Sequence, residues 1–178
     1  MPIKVAILTI STRGSEGKRK QDKSGDTIKN IIRKIDGQVA DYKVIRDDQE
    51  QIMWELKRLA EVVKVDLVLT TGGTGLSPTD VTPEATLAVI ERRVPGLEEA
   101  MRMSGFRKTP HALLSRAVAG TLERTLIINL PGTPKGVQEN LETILETIPH
   151  AVEVLRGGFI ADKQHQYNQP NPEQENKI

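Results

Sequence analysis

Apolar positions along the chain fall into alternating strand-like and helix-like segments. Residues 3–10 (IKVAILTI) form a nearly continuous apolar run, which predicts a buried first strand. Residues 11–23 are polar and basic and predict a surface loop. Ile28, Ile31, Ile32 and Ile35 then recur at helical spacing, with Ser24 or Asp26 as the cap and Gly37 as the stop. Residues 39–45 alternate as a second strand. Residues 49–63 carry Ile52, Leu56, Leu59, Ala60 and Val63 on one helical face, on which Trp54 is also expected to pack. Residues 65–70 are apolar enough for a strand covered on both faces.

The second half continues the alternation. Thr82 and Pro83 read as the N-cap and first residue of a helix. A helix spans 95–106, a short irregular piece 111–115, and a hairpin 117–124 turning at Gly120. Residues 125–130 are a further strand, and 137–155 a last helix with a break at Pro149. The expected fold is a three-layer αβα sandwich with a mainly parallel sheet. The domain occupies residues 1–160. Residues 161–178, rich in Gln, Asn and Pro, form a polar tail expected to be disordered.

Composition narrows the chemistry. A length of 178 residues suits one domain with a full core. Cysteine is absent, which excludes disulfides, thiolate nucleophiles and cysteine-based zinc sites. His111, His150 and His165 are scattered and make no metal-binding pattern. A net charge of +1 argues against nucleic acid as a partner. No apolar run approaches the roughly 20 residues of a membrane helix. No signal peptide is recognisable, so a cytoplasmic location is expected.

Candidate chemistry collects just beyond predicted strands, where α/β sheets bind ligands. Thr71-Gly72-Gly73-Thr74-Gly75 follows a buried strand. Consecutive glycines let backbone N–H groups converge into an anion-binding nest. The loop fits neither the Walker A nor the dinucleotide fingerprint; a plain strand-to-helix connector is the competing reading. Asp80 lies between this loop and the next helix, and Asp47 follows the second strand. A carboxylate beside a phosphate loop repels its ligand unless a cation intervenes, and Mg²⁺ suits one or two carboxylates plus phosphate oxygens. Ser11-Thr12-Arg13 follows the first strand. Leu130-Pro131-Gly132-Thr133-Pro134-Lys135-Gly136 offers more backbone donors and a lysine. Lys18-Arg19-Lys20 reads as solvated loop.

Four segments go beyond such general reasoning. TTGGTG with DVTPEA (70–85), PGLEEAMR (95–102), ALLSRAVAG (112–120) and INLPGTPKG (128–136) together resemble the MogA/MoaB family, over residues 3 to about 158. The resemblance implies a molybdopterin-binding αβα fold and transfer of AMP from Mg-ATP to molybdopterin, releasing pyrophosphate. Within it, Asp47 and Asp80 match two aspartates tied to catalysis and Mg²⁺ handling. Ser11, Thr71, Gly72, Gly73, Thr74, Gly75, Thr82, Glu84, Ser115, Asn129, Pro131, Gly132 and Lys135 match substrate- and nucleotide-binding segments. A homotrimer, or a hexamer of paired trimers, is implied, with the molybdenum-insertion enzyme as a further partner. The alternative is a molybdopterin-binding protein of the same fold without transferase activity.

Overall fold

The computed structural model describes residues 1–17 and 21–157. The polar tail and Lys18-Arg19-Lys20 therefore lie outside the described residues. Six strands form one sheet in the order β2-β1-β3-β6-β5-β4. They are β1 (Ile3–Ile10), β2 (Gly37–Ile45), β3 (Leu67–Thr71), β4 (Arg92–Arg93), β5 (Ala119–Leu122) and β6 (Thr125–Leu130). Strands β2, β1, β3 and β6 are parallel; β5 alone is reversed, pairing antiparallel with β6 on one side and with the edge strand β4 on the other.

Strand periodicity explains the layers, because successive side chains point to opposite faces. Ile3, Val5 and Ile7 of β1 enter one core with Ile28, Ile32, Met101, Leu141 and Ile148. Ala6, Leu8 and Ile10 enter the other with Ile52, Leu56, Leu59 and Ala85. Helices α2 (Lys23–Ile32), α5 (Pro95–Phe106), α6 (Pro134–Ile144) and α7 (Ile148–Leu155) therefore cover one face, and α3 (Gln49–Lys57) and α4 (Thr82–Leu87) the other. This is the three-layer αβα sandwich that the alternation predicts.

Several local expectations change. The segment after β1 contains a short helix, α1 (Thr12–Ser15), capped by the Ser11 hydroxyl. Asp22, not Ser24 or Asp26, caps α2 by accepting from Gly25 N at 3.0 Å. The left-handed residue that stops this helix and its 3-10 extension is Asp36, at φ 55°, and Gly37 already begins β2. The helix expected over 49–63 becomes a π-helix at Arg58–Val63 and ends at left-handed Lys64. Thr82 is the first helical residue rather than the cap, because its hydroxyl is spent on the Gly72 carbonyl. The hairpin joins β5 to β6 and turns at Glu123, φ 53°. Gly120 lies inside β5, where an added Cβ would stand 2.7 Å from the Arg92 carbonyl oxygen. The last helix breaks at Leu145–Thr147, just ahead of Pro149. Trp54 is 61% exposed and does not pack on its helix face; the Lys43 amine stands 5.9 Å from its ring.

Candidate active site

Parallel strands deliver their carboxyl ends to one side of the molecule, and a cavity of about 470 Å³ opens there. Ser11, Thr12 and Arg13 after β1, Asp47 after β2, Thr71 to Gly73 at the end of β3, and Gly132 after β6 line it, with Thr79. Four segments far apart in sequence thus meet, as the strand-end argument predicts.

The glycine loop is held open from beneath. Gly72 and Gly73 both have positive φ, at 101° and 63°. A Cβ at Gly72 would strike the Ile10 carbonyl, and one at Gly73 the Thr82 hydroxyl. Thr82 donates its hydroxyl to Gly72 O at 2.9 Å and its amide to Gly73 O at 3.1 Å. Gly72 N donates to Leu130 O at 3.2 Å. Among the described residues, the amides of Gly73, Thr74 and Gly75 donate to no protein acceptor. Unused donors on a glycine turn are what an anion requires.

Asp47 is oriented by Thr12. Its Oδ2 accepts from the Thr12 amide and hydroxyl, each at 2.8 Å, and the Asp47 amide donates back to that hydroxyl at 3.2 Å. Oδ1 faces the loop, 3.4 Å from where a Gly73 Cβ would lie. Asp80 behaves differently. Its Oδ2 accepts from Ser77 N at 3.0 Å and lies 2.8 Å from the Cβ position of Gly75, so the carboxylate folds back on its own turn and does not line the cavity. Among the described residues no three His, Asp or Glu side chains make a metal cage. The donor set still fits Mg²⁺ carried by a nucleotide, which needs only one or two carboxylates beside phosphate oxygens. Asp47 Oδ1 meets that need.

Other expected site residues divide into two groups. Thr71 donates to Pro131 O at 2.6 Å, and an added Cβ at Gly132 would lie 3.3 Å from Gly72 Cα, so the two loops pack together at the cavity floor. Thr74, Gly75, Glu84 and Ser115 lie beside the cavity rather than on its lining. Glu84 pairs with Arg116, and its Oε2 is buried without a partner among the described residues. Burial alone would raise the Glu84 carboxyl; the hydrogen bond and charge of Arg116 outweigh it and hold the group below its ordinary value. Asn129 is fully buried and bridges Thr70 and Thr86 hydroxyls at 3.0 and 2.9 Å, a role inside the sheet. Lys135 is exposed in the first turn of α6, off the lining.

Sequence reasoning missed two contributors, Ser24 and Asp22, and marked a third, Thr12, only as part of the segment after β1. Thr12 has no signal beyond its place after a strand. Ser24 donates to Gly132 O at 2.9 Å. Asp22 receives the hydroxyls of Thr9 at 2.5 Å and Tyr42 at 2.8 Å in a cavity of about 190 Å³ that adjoins the first at Thr9 and Ser11. Burial, then the Asp22 hydrogen bond and charge, raise the Tyr42 hydroxyl above its ordinary pKa. A larger cavity, about 540 Å³, lies at the opposite end of the sheet. Its lining includes Asp66 and Arg156, paired at 2.7 Å, and it lacks a glycine nest.

The fold and cleft define an α/β protein with a glycine loop of unused amides at the carboxyl ends of parallel strands, where such sheets bind ligands. Residues 6–150 match the family described as "Probable molybdopterin binding domain", and the chain belongs to that family. It is 37% identical over 160 residues to a Helicobacter pylori protein named molybdopterin adenylyltransferase, covering 89% of this chain and 90% of that one. The Escherichia coli K12 protein of the same name is 34% identical over 172 residues, covering 89% and 88%. The crystal structure of the molybdopterin biosynthesis enzyme MoaB from Thermus thermophilus superposes with a TM-score of 0.82 at 47% identity, over 87% of this chain and 97% of that one. A MogA structure gives 0.80 at 37% identity, over 85% and 99%.

Proposed function

We propose that this chain is a molybdopterin adenylyltransferase of molybdenum cofactor biosynthesis, transferring AMP from Mg-ATP to molybdopterin. The observation that carries the reading is one cavity shared by a glycine nest with unused amides and a carboxylate oriented by Thr12. The relatives' shared name supports it over nearly the whole chain.

A terminal phosphate oxygen of molybdopterin bonds to the α-phosphorus of ATP, and the bond from that phosphorus to the bridging oxygen breaks, releasing pyrophosphate. Two anions must be held in line, which is mainly positioning and charge stabilisation. The Gly73 amide on the cavity lining, with those of Thr74 and Gly75 beside it, supplies donors fixed in direction. Asp47 Oδ1 would hold Mg²⁺, which neutralises phosphate charge when bound. Thr12 keeps Asp47 from rotating away. Asp80, whose carboxylate is turned onto Ser77 N off the cavity lining, enters this reading as the second carboxylate on the strength of the family resemblance alone.

No helix among the described residues is long and apolar enough to cross a membrane. A cytoplasmic location belongs to the proposal. So does a homotrimer or paired-trimer hexamer, which the exposed Met103, Phe106, Leu113 and Leu114 on α5 and the turn packed against it support as a contact face. The molybdenum-insertion enzyme would take the product.

The test is pyrophosphate release on mixing the chain with ATP, Mg²⁺ and molybdopterin. Release that needs both substrates is expected, with turnover down at least ~100-fold in Asp47→Ala and in Asp80→Ala. Molybdopterin binding without pyrophosphate would make the chain a binding protein only. Near wild-type transfer by both variants would remove the assigned roles.

A further inference from the structure

Arg116 sits between the 3-10 turn Pro110–Leu114 and β5, and reaches across to the glycine loop. Its amide donates to Thr74 O at 3.0 Å. Its Nε donates to Gly75 O at 2.8 Å, its Nη2 to Asp80 O at 2.6 Å, and its Nη1 to Glu84 Oε1. One side chain therefore fastens the loop's exit at Gly75, Asp80 two residues ahead of α4, and α4 itself at Glu84. Between the two carbonyls it grips, residues 76–79 are exposed and held by local contacts among Ser77, Thr79 and Asp80.

Arg116 does not line the cavity, and its charge is already met by Glu84. An anion-recognition role therefore fits poorly. The geometry suits a different one. A guanidinium presents several donors in a rigid plane, so it can serve three acceptors from three segments at once; a lysine ammonium, a point donor on a flexible stem, cannot reproduce that fork. We propose that Arg116 is a positioning residue for AMP transfer, clamping Gly75, Asp80 and Glu84 so that the glycine-loop amides and Asp80 keep their places. The proposal rests on the adenylyltransferase reading for its kinetic consequence, but not for its structural one. Asp80 is held from both sides, its carbonyl by Arg116 and its carboxylate by Ser77 N. Freeing one side lets it drift, and a displacement of about 1 Å costs a reaction of this kind on the order of 100-fold.

The test compares wild type, Arg116→Ala, Arg116→Lys and Glu84→Gln in the pyrophosphate assay and in amide hydrogen exchange. Both Arg116 variants are expected to lose about 100-fold in kcat, with KM for ATP within about threefold. Guanidinium ion is expected to restore Arg116→Ala by at least ~10-fold and to leave Asp47→Ala unimproved. Glu84→Gln should lose less, on the order of 10-fold. Exchange in all three variants should quicken across residues 75–80 and not in β3. Wild-type kcat in Arg116→Lys would overturn the clamp, since charge alone would then suffice. So would a raised KM at unchanged kcat, or a loss that guanidinium does not repair and that follows the melting temperature down. Should Arg116→Ala fail to fold, Arg116→Lys and Glu84→Gln decide by the same measures. An inactive wild type would remove the function reading alone, and unchanged exchange at residues 75–80 would remove the clamp alone.

Discussion

Asp47 shows how a single residue is prepared for chemistry. Two donors from Thr12 saturate one carboxylate oxygen and leave the other facing Gly73. Thr12→Val keeps the shape and the amide donor but removes the hydroxyl. Turnover should fall about 10-fold with an unchanged circular dichroism spectrum, the scale of losing one orienting hydrogen bond. Gly73→Ala meets both a positive φ and the Thr82 hydroxyl. It should lose about 1–3 kcal/mol in urea unfolding as well as activity. The glycine run was legible from the sequence because no other residue type takes those angles. The hold of Thr12 on Asp47 was not, although its segment was marked: the partner lies 35 residues away, and a threonine after a strand is ordinary by itself. Asn129 was marked by its motif, yet that motif position serves the sheet interior.

At the scale of elements, the cavity floor is a seam between loops. Ser24 in the first turn of α2 donates to Gly132, Thr71 at the end of β3 donates to Pro131, and Gly72 hangs from Leu130. Ser24→Ala leaves the Gly132 carbonyl without that donor and should cost about 1 kcal/mol in unfolding, with a weaker hold on molybdopterin measured by titration calorimetry. The start of α2 was legible only to within a few residues. Asp22, Ser24 and Asp26 can all cap locally, and the choice falls to Asp22 alongside its contacts to Thr9 and Tyr42 from two strands. Helix and strand periods place elements well, whereas their ends depend on distant partners that no period encodes. The same holds for the hairpin. Gly120 looked like its turn, but the close approach of the Arg92 carbonyl is what requires glycine there.

The molecule as a whole rests on a sheet with helices on both faces, which the alternation of apolar runs revealed because β1, β3 and β6 are buried on both sides. Its acid stability is set elsewhere. Glu98 is buried at 1% exposure; burial would raise its carboxyl, but Arg93, the Ala119 amide and the Arg102 charge lower it below the ordinary 4.5. Asp66 is likewise lowered from 3.8, burial being outweighed by Arg156 and the Lys4 amide. A depressed carboxyl stabilises the fold above its unfolded value, and that contribution is lost as pH falls through the folded value. Melting temperature should therefore hold down to about pH 5 and drop below 4.5, with a shallower acid limb in Glu98→Gln. Function turns on which end of the sheet takes substrate. A crystal structure of the chain with molybdopterin and a non-hydrolysable ATP analogue tests this most directly. Phosphates should lie on the amides of Gly73 to Gly75 with Asp47 Oδ1 turned toward them. A triphosphate lodged instead in the larger cavity, among Lys64, Arg124 and Arg156, would contradict the account.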